Sequence, residues 1–109
     1  MSMELKPRTA PGADLVALAE WLADDFAGRA AAHDRDGSYP HQSIDALRET
    51  GYLVAPVPLH LGGLGVSSVH DLVVASGRLA RGDASVAIGV NMHLVVVLNL
   101  TLLVLLTFG

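Results

Sequence analysis

The stretch "SVAIGVNMHLVVVLNLTLLVLLTFG", Ser85 to Gly109, holds no charged residue, and its reading decides the fold. A helix that is apolar on every side belongs either in lipid or in the middle of a larger protein. Length permits the first, because at ~1.5 Å per residue the segment exceeds the ~30 Å thickness of a bilayer's hydrocarbon. Three polar residues favour the second. Asn91, His93 and Asn99 would each need a partner in lipid, and the uninterrupted apolar run after Asn99 is too short to span alone. Nor does any Lys, Arg or aromatic belt beyond Phe108 mark a far interface.

The rest of the chain supplies amphipathic partners for that segment. Of its 109 residues 51% are hydrophobic but only 5% aromatic, so the apolar content is Ala, Val and Leu, which suits an all-α domain better than a sandwich of strands. A formal net charge of -4 gives no basic field and argues against nucleic acid as a partner. Without Cys there is neither a disulfide framework nor a thiolate metal site. The opening "MSMELKPRTAPGADL" lacks the apolar run of a signal peptide, so the expected location is cytoplasmic.

Residues 1–12 read as a disordered N-terminal segment and 13–109 as one helical domain. Leu15, Leu18, Leu22 and Phe26 recur at spacings of three and four from about Asp14, one apolar stripe that fades in "AAHDRDGSYP". Pro40 suits the first position of a short second helix with Ile44 and Leu47 inward, and Gly51 suits its left-handed end. "YLVAPVPLHLGGLGVSS" is an irregular connection. Ser68 and Asp71 form a weak capping box for a third helix that places Leu72, Val73, Ser76, Leu79 and Ala80 on one face. At Gly82 and Asp83 a stop is followed by the N-cap of the fourth helix.

Three segments, "FAGRAAAHDRDGSYP" (26–40), "SIDALRETGYLVAPVPLHLGGLG" (43–65) and "VHDLVVASGRLARGDASVAIGVNMH" (69–93), resemble in order and spacing the N-terminal helical domain of the acyl-CoA dehydrogenase family of flavoproteins. The resemblance implies a core helix, since the family's matching helix is buried between domains and its early turns border the thioester end and acyl chain of the substrate. Carried over by position, the pocket-lining candidates are Ala87, Ile88, Val90 and Asn91. Ordinary core packing competes with that role for Ile88 and Val90, whereas Asn91, as a buried polar group, needs a hydrogen-bond partner.

The family's β-domain and C-terminal four-helix domain hold FAD and the catalytic base that removes a proton alpha to the thioester carbonyl as hydride passes to the flavin. This chain stops where the β-domain would begin. The resemblance therefore implies an N-terminal domain or truncated remnant of an acyl-CoA dehydrogenase-like enzyme that binds acyl-CoA only when complete, and that alone carries no catalytic residue, no flavin and no activity. A flavin-dependent monooxygenase of the same fold is the alternative, and a small helical membrane protein anchored by residues 85–109 is the reading from another class. The sequence departs from the family in "TLLVLLTFG", where members return to charged residues. Three amphipathic helices cannot cover a fourth that is apolar all round, so self-association is expected.

Other chemistry reads weakly. "GGLG" at 62–65 lacks the glycine spacing, Lys and preceding strand of a phosphate cradle. His33, His41, His60, His70 and His93 lie on different elements without metal-ligand spacing. The charges of "HDRD" at 33–36 read as a solvated helix end. Ser38, His41 and Asp45 are close in sequence but have no oxyanion hole beside them.

Overall fold

Leu15, Leu22 and Phe26 are fully buried and Leu18 is half-buried beside them on α1 (Ala10–Asp36). The helix begins before Asp14. Thr9 caps it, its hydroxyl accepting the Gly12 N–H at 3.0 Å, and Pro11 occupies the first turn, where a missing N–H costs nothing. The computed structural model describes residues 5–108. Within them the expected disorder up to residue 12 is not found. Residues 10–12 are helical, and residues 5–9 are strapped to α3 (Val69–Ala80) by hydrogen bonds; residues 1–4 lie outside the described residues.

The centre of that strap is Asp71, which is 0% exposed. The Ser68 hydroxyl accepts the Asp71 N–H at 3.2 Å, one arm of the expected capping box. The reciprocal arm is absent, because the Asp71 carboxylate turns instead to the start of α1. There it accepts the Arg8 N–H at 2.8 Å, the Thr9 N–H at 3.0 Å and the Thr9 hydroxyl at 2.5 Å. Burial pushes its pKa up, but the Thr9 hydroxyl and the two N–H groups outweigh burial and hold the carboxyl below its usual range. His70 donates through Nε2 to the Lys6 carbonyl at 2.8 Å, and Arg78 donates to the Leu5 carbonyl and to Glu20.

The α3 face differs from the expected one at Val73, which is 51% exposed. Leu72 and Leu79 are buried, but the buried arc is turned towards Asp71, Val74, Ala75 and Arg78 because α3 lies between α1 on one flank and α4 (Ala84–Phe108) on the other. α2 (His41–Glu49) buries Leu47 with Ile44 half-buried, and Pro40 is its N-cap, one position before the expected one. Arg29 ties α1 to α2, donating to Ser43 Oγ at 3.2 Å. Its hydrogen bonds to Asp25, at 2.9 and 2.6 Å, hold that carboxyl below the usual range. Gly51 follows α2 with φ 82°, left-handed as expected. The connection to α3 is irregular apart from 3-10 turns at Tyr52–Val54 and Leu59–Leu61. Burial raises the pKa of the Tyr52 phenol, whose hydroxyl has no hydrogen-bond partner among the described residues.

Asp83 Oδ1 accepts the Val86 N–H at 3.2 Å and opens α4 as expected. Gly82 lets this turn approach α1, since a Cβ there would stand 2.1 Å from the Ala23 carbonyl oxygen. α4 buries Val86, Ala87, Val90, Leu94 and Leu98. Beyond Leu98 none of its described residues is buried. A core helix is therefore correct for one face of its first half and not for its second. By length and composition the element, whose most apolar 18-residue stretch has mean hydropathy 2.2, could cross a membrane.

Candidate functional site

Four neighbouring positions of α4 point in different directions because successive residues turn by about 100°. Ala87 and Val90 lie in the hydrophobic core. Ile88 is 65% exposed on the opposite side. Asn91 stands between, half-buried, its Oδ1 accepting the Ser76 hydroxyl of α3 at 3.0 Å. This hydroxyl is the partner that a polar residue there requires. The candidates are thus split, Ala87 and Val90 inward, Ile88 and Asn91 towards the open side. Helical spacing continues the Ile88 line through Met92, Val95, Asn99 and Leu103, all exposed. The Asn99 amide satisfies itself on its own helix, donating to the Val95 carbonyl at 2.9 Å.

The adjoining flank of α4, through Ser85, Gly89 and His93, borders an open cleft of ≈ 580 Å³. Its apolar walls are Ala30 of α1, Pro40 and Ile44 at the start of α2, Leu53, and Val86 and Val90 of α4. Its polar lining is His33, Asp34, Ser38, Asp83, Ser85 and His93. His33 Nδ1 is 2.8 Å from Ser38 Oγ. His93 donates through Nε2 to the Leu53 carbonyl at 2.9 Å, which in the neutral ring leaves Nδ1 as an acceptor. No sequence motif marks this cleft, because its residues come from separate elements.

The remaining candidates are drawn apart. Ser38 pairs with His33, His41 packs edge-on to Tyr39 at 4.6 Å, and Asp45 pairs with Arg48 at 3.2 Å. In "GGLG" the Gly63 and Gly65 N–H groups donate to the Pro58 and Val57 carbonyls, and a Cβ on Gly63 would fall 2.0 Å from Val57 O. These glycines serve close packing of the loop on itself. Among the described residues no three His, Asp or Glu side chains gather as a metal site would require.

The family model of the acyl-CoA dehydrogenase N-terminal domain matches residues 15–109. The chain belongs to the acyl-CoA dehydrogenase family. It is the N-terminal domain of acyl-CoA dehydrogenase-like flavoproteins, and the match includes the apolar tail at 101–109. The amino sugar nitrososynthase RubN8 of Streptomyces rubradiris is 40% identical over 83 residues, covering 76% of this chain and 20% of the relative. The candidate acyl-CoA dehydrogenase YdbM of Bacillus subtilis (strain 168) is 41% identical over 76 residues, covering 70% and 20%. The structure of KijD3 in complex with dTDP superposes with TM-score 0.82 at 41% identity, covering 87% of this chain and 24% of that one; KijD3 has also been solved with FMN and an amino-keto sugar nucleotide. The chain thus spans about a fifth of the length of the curated relatives it matches.

Proposed function

We propose that this domain forms one wall of the substrate site in a complete flavoenzyme, with Ile88 and Asn91 on the wall and Ala87 and Val90 behind it. The observation that carries the reading is the exposed line of Ile88, Met92, Val95 and Leu103 on a helix whose opposite face is core. A strip of this kind on a family domain calls for protein cover. The Ser76 bond fixes the Asn91 carbonyl oxygen and leaves its amide N–H groups for a ligand or for the covering domain.

The residues here do not fit a flavin by themselves. The Gly63 and Gly65 amides of the loop are committed to Pro58 and Val57, and the open face of α4 carries no charged group to meet a phosphate. The cofactor accordingly belongs to further domains, and the isolated chain is colourless. Dehydrogenation of an acyl-CoA thioester is the first reading. Oxygenation by a flavin-dependent monooxygenase is the second, favoured by the likeness to RubN8 and KijD3, which equals that to YdbM. In either case the complete protein is cytoplasmic and α4 is covered by protein, not lipid.

A chimera tests this. With this chain in place of the corresponding domain of YdbM, bound flavin should be retained, and Ile88→Asp should weaken acyl-CoA-dependent bleaching of the flavin without loss of the flavin itself. Unchanged bleaching would remove Ile88 from the wall. Supplying dTDP-amino sugar and oxygen to a chimera built on RubN8 separates the second reading from the first. Extraction of the native chain from membranes only by detergent would overturn both.

A further inference from the structure

We propose that the cleft between the end of α1, the start of α2 and the first half of α4 is a small-molecule site for an organic cation, an ammonium group carried on an apolar body. It is separate from the substrate wall. Ser85, Gly89 and His93 line it at i, i+4 and i+8, on the strip of α4 next to the Ile88 line, and neither Ile88 nor Asn91 is among its lining residues. Its ≈ 580 Å³ falls within the ~300–1,000 Å³ of small-molecule pockets.

The class of ligand follows from the groups that line the cleft. Asp34 makes no hydrogen bond or ion pair among the described residues, so both its oxygens are open. Asp83 commits one oxygen to the Val86 N–H and keeps the other. In its neutral form His93, with Nε2 donating to the Leu53 carbonyl, adds a ring nitrogen that accepts. No Lys or Arg is among the lining residues. Two unpaired carboxylates and an acceptor nitrogen above walls of Ala30, Ile44, Leu53 and Val90 repel an anion, and a neutral molecule leaves the charges unanswered. An ammonium brings three donors and the missing positive charge, while its hydrocarbon body covers the apolar wall. Gly89 leaves the room, since a Cβ there meets no atom within 4 Å.

The test compares three probes of one shape on the native chain by saturation-transfer NMR titration: 4-phenylbutylamine, 4-phenyl-1-butanol and 4-phenylbutyrate. The amine should bind about tenfold more tightly than the alcohol, and the butyrate more weakly than both. Asp34→Asn alters an exposed residue with no partner and should cut the amine's advantage roughly threefold. Gly89→Leu fills the cleft and raises helix propensity, so it should abolish binding of the amine while the circular dichroism of the fold is kept. Equal binding of amine and alcohol overturns the proposal. So does amine binding that survives Gly89→Leu. Should Gly89→Leu fail to fold, the Asp34→Asn titration decides alone, and an unchanged preference for the amine overturns the charge assignment.

Discussion

The two halves of α4 are close in composition and opposite in surroundings. Between Ala84 and Leu98 every turn sends a side chain into the core; from Asn99 to Phe108 none is buried. The difference lies in the reach of the neighbours. α3 has 12 residues, about 18 Å of helix, against 25 residues and about 37 Å for α4. α1 is long but packs chiefly on α3, so beyond the reach of α3 no described residue covers α4 well enough to bury it. Apolarity makes burial favourable, and only a neighbour of sufficient length makes it happen.

The sharpest way to break this comparison is one truncation in each half. Leu94→Ala, at a residue 0% exposed, should lower unfolding free energy by about 2–5 kcal/mol in urea titrations, whereas Leu106→Ala, at 87% exposure, should change it by less than about 0.5 kcal/mol. Similar losses at both sites would mean that the tail packs in solution against something this fold does not supply.

Next in size is Asp71→Ala, which strands the Arg8 and Thr9 N–H groups and should cost about 3 kcal/mol. Its pH dependence has a definite sign. The folded carboxyl binds a proton less readily than the unfolded one, so its contribution is complete above the ordinary carboxylate range and is lost as pH falls through that range towards the lower folded value. The native chain should therefore lose stability below about pH 4 more steeply than Asp71→Asn does, as measured by urea midpoints. Ser76→Ala removes the single bond to Asn91 and should cost about 1 kcal/mol.

The smallest effect on stability should come from the tail. Exchanging Leu102, Leu103, Leu105 and Leu106 together for Gln should change the unfolding free energy by about 0.5 kcal/mol or less in all, yet shift sedimentation from large species towards monomer. A clean monomer from the unmodified chain at tens of micromolar would contradict the expected self-association.

Much of the fold is legible in the sequence because the punctuation is local. Gly51, Ser68 and Asp83 act through their own backbone or through N–H groups two or three residues on. Asp71 shows where this stops. Its spacing from Ser68 reads as a local cap, while its carboxylate is taken by residues more than sixty positions away. Val73 and Val74 are chemically alike, and which one is buried depends on which flanks of α3 its neighbours occupy. The need of Asn91 for a partner is legible; that the partner is Ser76 depends on how α3 crosses α4. The cleft is invisible in the sequence because its acceptors, Asp34, Asp83 and His93, are spread over two helices and a turn.

The strap at residues 5–9 also bears on the order in which the molecule can assemble during synthesis. Thr9 leaves the ribosome 62 residues ahead of Asp71, and Leu5 leads Arg78 by 73. At about 5–20 residues per second, Thr9 waits about 3–12 s for its acceptor. Throughout that interval α1 is without the carboxylate at its head, and its Leu15, Leu22 and Phe26 stripe lacks the α3 surface it packs on. Residues 5–9 are thus made well before they can be fixed, and a nascent chain arrested before Asp71 should leave them open to proteases or to a chaperone.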